Sequence, residues 1–595
     1  MRSPLILILA LLVLNTTYAQ TKQTVSSMEI TPYHWKLPDG LSEKSAILPS
    51  KTPDLPSFNE IDLGFNESSV TQFNQFGSFG YFNNGFTDRV KTGHYRFFFN
   101  DYYQNFSGYR DHSSIYGTSI NSGLQVVPSQ YSKVEIMGYY LKGEAKLPGG
   151  LNKAEFDATP FNANPRSLHR DEKRAVVRGR SDVRYSATFG KSHNNEIMVQ
   201  GWGSFDNINR ATEEYKVISK SGYGFKTVFT NQSTWRNHQN IVNSGLELSY
   251  LPVNTEYYEN FAGAKGLLEK ISSEKVRNNS FYISDQFEIL KKKLFVKVTG
   301  RYDRENYHVQ EEIQSSRAET KIFEAFTPNM ELTYQPLKWL NLYGIYGIFY
   351  RAPTEKELES SYGSLYNDML QAQSSRNFEI GAKADWENNK STWFKNVHIE
   401  FSLFHYVIDN ELVSFEVDLE EFCRNSPRTH QTGTNFTGRI GLLKDLVFNF
   451  NWKYSDFLYK TYVANVFVPT GFETRDFSGN AEPDVPVNKI LLGLSFHHTF
   501  SGKITLISKA DYTSMSKRWV DDDNSAKTDP VNLFNFMAGL SMDFGRFHVS
   551  ASGGVNNIFN SLYVDKMTIN SYEYGFYNAG SPRDYFCSLN FAYNF

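Results

Sequence analysis

The stretch Asp584-Tyr585-Phe586-Cys587-Ser588-Leu589-Asn590-Phe591-Ala592-Tyr593-Asn594-Phe595 decides how the rest of the chain is read. Laid out as a β-strand, its side chains alternate between two faces. Tyr585, Cys587, Leu589, Phe591, Tyr593 and Phe595 fall on one face; Phe586, Ser588, Asn590, Ala592 and Asn594 fall on the other. Apolar and aromatic groups at every second position suit a wall wet by hydrocarbon on one side and by a polar lumen on the other.

The same alternation recurs upstream. Leu294, Val296, Val298 and Tyr302 alternate with Lys297, Thr299, Arg301 and Asp303. Val397, Ile399, Phe401 and Leu403 alternate with His398, Glu400 and Ser402, and Leu446, Phe448, Phe450, Trp452 and Tyr454 with Asn449, Asn451, Lys453 and Ser455. This is the period of half-buried strands, and no helical period competes over similar lengths. Short turns at Lys291–Lys293, Pro336–Trp339 and Ser501–Lys503 alternate with long polar stretches at 150–175, 310–324 and 520–530. Short turns at one end and long loops at the other are the asymmetry of an outer-membrane barrel, long loops outward. Walking from Val70 to Phe595 predicts an all-β, antiparallel transmembrane barrel of about 22 strands, a size associated with plugged transporters.

The N-terminus agrees with export. Arg2 precedes the apolar run Leu5 to Leu14, and Thr17-Tyr18-Ala19 offers small residues where a signal peptidase reads, so residues 1–19 read as a signal peptide and the mature chain as starting at Gln20. The apolar run is too short for a membrane-spanning helix, which needs about 20 residues. No cysteine follows the cleavage site to carry a lipid. Aromatics make up 16% of the chain while the mean hydropathy is negative, which excludes a helical membrane protein. Cys423, expected in a loop, and Cys587, expected on the outer face of the last strand, read as free thiols. A formal charge of −3 argues against a nucleic-acid partner.

Several stretches resemble the barrel of TonB-dependent outer-membrane receptors, and they stand in matching order. Gly77–Phe82 (GSFGYF) and Gly108–Ser113 (GYRDHS) resemble the first strands and second outer loop. Leu147–Asn152 (LPGGLN) with Asn164–Ser167 (NPRS) resembles the third loop of the ferric-citrate and siderophore branch. Tyr350–Leu358 (YRAPTEKEL), Arg376–Lys383 (RNFEIGAK), Arg424–Gly433 (RNSPRTHQTG), Gly554–Tyr563 (GVNNIFNSLY) and Gly580–Phe586 (GSPRDYF) complete the series. Leu589, Phe591, Tyr593 and Phe595 resemble the terminal signal read by the barrel-assembly machinery.

The resemblance implies an outer-membrane transporter for iron–siderophore complexes or a similar large nutrient, working with the TonB complex in a diderm bacterium, and not an enzyme. It also sets a departure. Family members carry a plug inside the barrel, ending in a glycine-rich strand, behind a TonB-contacting box. Neither is recognisable in residues 20–67, a proline-containing segment ahead of the barrel expected over 68–595. A piece this short rarely buries enough apolar surface to fold alone. The segment reads as an extended peptide in or below the lumen. The open alternatives are a plug supplied by another chain or lost, an open diffusion pore, occlusion of the channel by the 20–67 segment itself, and a vestigial barrel with a surface or structural role.

Candidate ligand contacts lie in two outer loops. Arg166, His169, Arg170, Lys173 and Arg174 form a basic stretch on the third, suited to steering anionic ferric chelates or to contacting lipopolysaccharide. Tyr109, Arg110 and His112, with Tyr116, form either a cationic and aromatic lid or ordinary loop packing. Arg178, Arg180 and Arg184 fall at period 2 as a basic ladder on the lumen face, for cargo, water or plug contact. Arg351 and Glu357 read as a rim-fixing ion pair. Asp521-Asp522-Asp523-Asn524 offers oxygen ligands but lacks the spacing of a calcium loop, so a solvated loop is expected there. His497 and His498 face opposite sides of a strand and cannot share a metal. No serine, histidine and acid grouping points to catalysis, and no cofactor or metal is expected.

Overall fold

A computed structural model describes residues 68–312, 317–360, 365–387, 393–417, 420–443, 445–468, 471–500 and 502–595. The expected signal peptide, residues 1–19, and the 20–67 segment lie outside the described residues. Twenty-two antiparallel strands form one closed sheet. Closure is made by the first strand, Ser69–Gly77, which pairs with Tyr81–Thr92 on one side and with the last strand, Asp584–Asn594, on the other. In that last strand Tyr585, Leu589 and Phe591 point outward and exposed while Ser588 is buried, as the alternation requires, and Phe595, just past its end, is exposed too.

Through the membrane band the outward residues at every second position are mostly apolar, as in Phe378 and Ile380, Phe401 and Leu403, or Val183 and Tyr185. Ten short turns join the strands at one end. Arg546 and Gly545, between Phe544 and Phe547, make one of these, with Gly545 at φ +66°, a left-handed conformation that costs glycine nothing. The other end carries eleven connections, most of them longer. The first is tight: Phe79 and Gly80, at φ 57° and 68°, form the paired left-handed turn that matches strand twist.

Strands such as Ala264–Leu290, with 27 residues, and Phe394–Val417, with 24, are far longer than a bilayer needs. About 9–11 tilted residues cross hydrocarbon. The excess rises on the long-loop side as a collar above the lipid.

The loops fill the mouth of the collar. The seventh, 352–372, packs Ala352, Leu358, Leu365, Tyr366 and Leu370 against the inward-facing Val276, Tyr307, Val309 and Phe323. The third loop, 147–172, contributes α1, Lys153–Ala158, capped by Asn152 in a reciprocal bond with Glu155, and α2, Pro165–His169. Leu151 and Phe156 of this loop pack with Val520 of the tenth loop, 516–530, and Val564, Met567, Phe576, Tyr577 and Ala579 of the eleventh, 557–583.

Three expectations need correction. Residues 318–324 are strand, since Ala318–Leu337 pairs fully with Leu294–Glu311, and the sixth loop is correspondingly short. Cys423 lies in the strand Glu420–Leu442, opposite Ser414, and is buried. The Asp521–Asn524 run is not uniformly solvated: Asp522 is folded in, 1% exposed, while Asp523 stays exposed.

Candidate functional site

A dense polar convergence on the outer side is built around Asp522. Its carboxylate accepts from Tyr459 at 2.8 Å, Tyr462 at 2.9 Å and the Arg424 guanidinium at 2.8 Å. Its backbone N–H donates to Asn570, and its carbonyl accepts from Asn480, each at 2.8 Å. One side chain thereby joins the strand Glu420–Leu442, the strand Leu446–Thr461, the ninth loop, 462–487, and the tenth and eleventh loops. Arg424 also donates to Tyr462 at 2.5 Å and lies over the rings of Phe415 and Phe477 at 5.1 and 5.5 Å. A second pair, Arg475 to Asp523 at 2.5 Å, ties the hairpin formed by Val463–Val468 and Gly471–Asp476 to the tenth loop.

Above this knot opens a cleft of about 90 Å³. Its aromatic walls are Phe415, Phe477, Tyr572, Tyr574 and Phe576; its polar groups include Arg424, Arg475, Glu416 and Asp521 to Asp523. Four carboxyls against two guanidiniums make it acidic on balance, so it recognises donors and flat apolar surface rather than bare anionic charge. Asp521 is turned inward on Ser525, whose backbone N–H it accepts at 2.8 Å, and burial raises its carboxyl above the usual range.

Behind the cleft, Gln431 donates its side-chain amide to Glu411 at 3.3 Å and to both oxygens of Glu482 at 3.1 and 3.2 Å. Burial, then the Glu411 charge, raises the Glu482 carboxyl.

The second and third loops use most of their predicted ligand contacts for interlocking. Tyr109 donates to the Ala579 carbonyl at 3.1 Å, and Arg110, 6% exposed, bonds Asn578 and the carbonyls of Gly149 and Asn162. His112 meets the Glu172 carbonyl at 2.8 Å. Lys173 and Lys146 share Asp171 at 2.9 and 2.5 Å, and Arg170 stands 3.8 Å from Glu172. Lys173 and Arg174 do not lie on the loop as expected but open the strand Lys173–Phe189, paired with Lys146 and Ala145, and Arg174 is buried. Arg166 reaches Glu573 at 3.1 Å from an exposed position, and His169 is exposed.

The ladder Arg178, Arg180 and Arg184 does face inward, but acids and amides meet it: Asp206 at 2.7 Å, Asp182 at 2.8 Å, and Gln200 at 3.2 Å with Glu135 at 3.7 Å. Trp202 stacks under Arg180 at 4.6 Å. The Arg351–Glu357 ion pair is present at the rim.

Asp522 was visible as part of an acidic run and Arg424 as the head of a motif. No sequence signal paired two residues 98 positions apart. No group of three or more metal-binding side chains occurs among the described residues.

A closed 22-stranded barrel with a lipid-facing band, an overgrown collar and a mouth packed with interlocked loops has the architecture of an outer-membrane receptor barrel. The family model for the TonB dependent receptor-like β-barrel matches residues 50–558, and the chain belongs to that family. Solved structures share the fold. The unliganded ferric citrate transporter FecA superposes with TM-score 0.70 at 16% identity, covering 88% of this chain and 78% of that one. The siderophore receptor PiuA from Acinetobacter baumannii gives 0.72 at 13%, covering 88% and 82%. The ferric-catecholate import receptor Fiu from K12 E. coli gives 0.68 at 13%, covering 89% and 82%.

Proposed function

We propose that the chain takes up an iron–siderophore complex or a similarly large nutrient across the outer membrane, energised through TonB, with the cleft above Asp522 as the first point of cargo contact. The observation that carries this reading is the convergence of three outer loops on one rigid, aromatic-walled cleft at the mouth of a receptor-family barrel. Aromatic walls supply apolar area at low entropic cost, and the arginine and acid pairs supply oriented donors and acceptors. Structural neighbours that carry ferric citrate, ferric catecholate and other siderophores support the cargo class. A plug supplied by residues 20–67 or by another chain belongs to the same proposal.

Deleting the gene and following uptake of a panel of labelled ferric chelates under iron limitation tests it. Loss of uptake for one chelate, restored by the wild-type gene but not in a strain without TonB, is the expected result. Unchanged uptake across the panel defeats it. Large, steady single-channel currents from the purified protein, with TonB-independent uptake, would replace it with passive diffusion.

A further inference from the structure

On the outer wall, four neighbouring strands bring Arg376, His405, Asp409, Arg428, His430 and Lys460 onto one lipid-side face. The register fixes this: Arg376 stands opposite Val407, Asp409 opposite Arg428, Val407 opposite His430, and His430 opposite Leu458, two residues from Lys460. Asp409 is clamped between the two arginines, at 3.0 Å from Arg376 and 2.9 Å from Arg428, and both guanidiniums stay half-exposed. Each spends one nitrogen on that carboxylate. Among the described residues, their remaining nitrogens and the Lys460 ammonium have no acceptor. The His405 and His430 rings meet edge to face at 5.4 Å between them. Asp456 is the other acid on this face, nearer the lipid.

Position decides what these donors meet. Arg376 lies two residues beyond Phe378, and His405 two beyond Leu403, both exposed members of the apolar band. Two residues advance a strand by about 7 Å. The patch therefore stands one step outside the hydrocarbon, at headgroup height on the long-loop side. Charge at this height is uneven around the wall: the strands Lys173–Phe189 and Asn195–Ala211 turn Val177, Gly179, Ser181, Gly203, Phe205 and Asn207 outward, with no charge, whereas Lys142, opposite Val177, and the Arg304–Glu324 pair are exposed on other strands.

We infer that this face is a seat for a phosphorylated lipid of the outer leaflet. One occupant satisfies both halves of the surface: acyl chains lie along Phe378, Ile380, Phe401 and Leu403, while a headgroup phosphate takes the open donors of Arg376, Arg428 and Lys460. A guanidinium fork matches phosphate oxygens, and the low-dielectric edge of the bilayer strengthens the contact. A soluble anion has no use for the apolar half, and a protein strand finds no free sheet edge in a closed wall. The inference rests on the outer-membrane location and not on the cargo.

The test is binding of lipid A, intact or enzymatically dephosphorylated, to the purified full-length barrel in nonionic detergent, read by native mass spectrometry. Intact lipid A should bind at least tenfold more tightly than the dephosphorylated form, and the Arg376→Gln/Arg428→Gln/Lys460→Gln variant should lose that preference. Asp409→Asn, which removes the competing carboxylate, should bind intact lipid A at least twofold more tightly. Heat-modifiable migration in gels reports that each variant is folded; if the triple variant is not, Asp409→Asn decides alone. Equal affinity for the two lipids, an unchanged triple variant, a weaker or unchanged Asp409→Asn, or displacement of lipid by millimolar inorganic phosphate would each overturn the assignment.

Discussion

At the scale of single residues, the outer mouth depends on a few buried charges whose removal is costly because their partners stay behind. Asp522→Asn leaves Arg424 without its counter-charge and puts an amide NH2 where one carboxylate oxygen accepted, either from Tyr459 or from Tyr462 and Arg424 together. Breaking a buried pair in this way costs about 3–5 kcal/mol. Hydrogen exchange in the ninth loop should accelerate by about a hundredfold or more, given that about 1.4 kcal/mol is a factor of ten. Tyr459→Phe, which removes one bond worth about 1 kcal/mol, should raise it only severalfold. Equal protection in Asp522→Asn and wild type would show that the knot does not hold the loop.

Glu172 makes a pH-dependent counterpart in the third loop. Burial raises its carboxyl from 4.5 to about 7, against the opposing pull of the Ser167 hydroxyl, which donates to it at 3.0 Å. A carboxyl with a raised folded-state value binds its proton more tightly when folded, so its contribution is complete below 4.5 and is lost as pH climbs through about 7. Protection of the 147–172 amides, corrected for intrinsic exchange, should fall across that window. Glu172→Gln should flatten the fall. A fall of the same size in the variant would assign the pH dependence elsewhere. None of this was legible beforehand, because a charged run gives no sign of which members fold inward. Arg110 and Asp522 look no different in sequence from exposed neighbours.

At the scale of elements, the strands were readable and the loops were not, for one physical reason. A wall between hydrocarbon and water forces a period of two on every strand, whereas loop packing joins residues with no fixed spacing, such as Tyr109 and Ala579, 470 positions apart. The Tyr350–Leu358 segment stands between these cases. Its Arg351–Glu357 pair was legible from proximity. What the fold adds is that its other charges reach different strands: Glu355 meets Lys220 at 2.5 Å, and Lys356 meets Glu421 at 3.2 Å. Glu359, one residue beyond, accepts from Tyr257 at 3.0 Å. Glu357 also accepts the Thr354 backbone N–H at 2.8 Å. The segment is thus a staple holding the seventh loop against the lumen wall. Glu357→Ala removes both bonds and leaves a buried N–H unpaired, at a cost of about 1–3 kcal/mol. Limited proteolysis should cut variant barrels within 352–372 faster than wild type, with the rest of the barrel resistant. Identical cleavage patterns would mean that the apolar packing of Leu358 and Leu370 suffices.

For the whole molecule, everything rests on closure between the first strand and the last. An open sheet of this size would expose two unpaired edges to lipid, which no backbone tolerates in hydrocarbon. The seam places Phe76 opposite Cys587 and Gln75 opposite Ser588. Phe76 and Cys587 share the outward face, while Gln75 lies on the lumen face. Cα atoms of directly opposed residues stand about 4.5–5.5 Å apart, within the range a disulfide spans. Phe76→Cys should therefore couple to the native Cys587 under mild oxidation. The product is a covalent ring that stays compact after heating in detergent and unfolds only after reduction. Gln75→Cys, one residue away but on the opposite face, should not couple. Because a shift of one residue in register exchanges the two faces, coupling by Gln75→Cys and not by Phe76→Cys would place the seam one residue out of register and turn the outward row of the last strand toward the lumen.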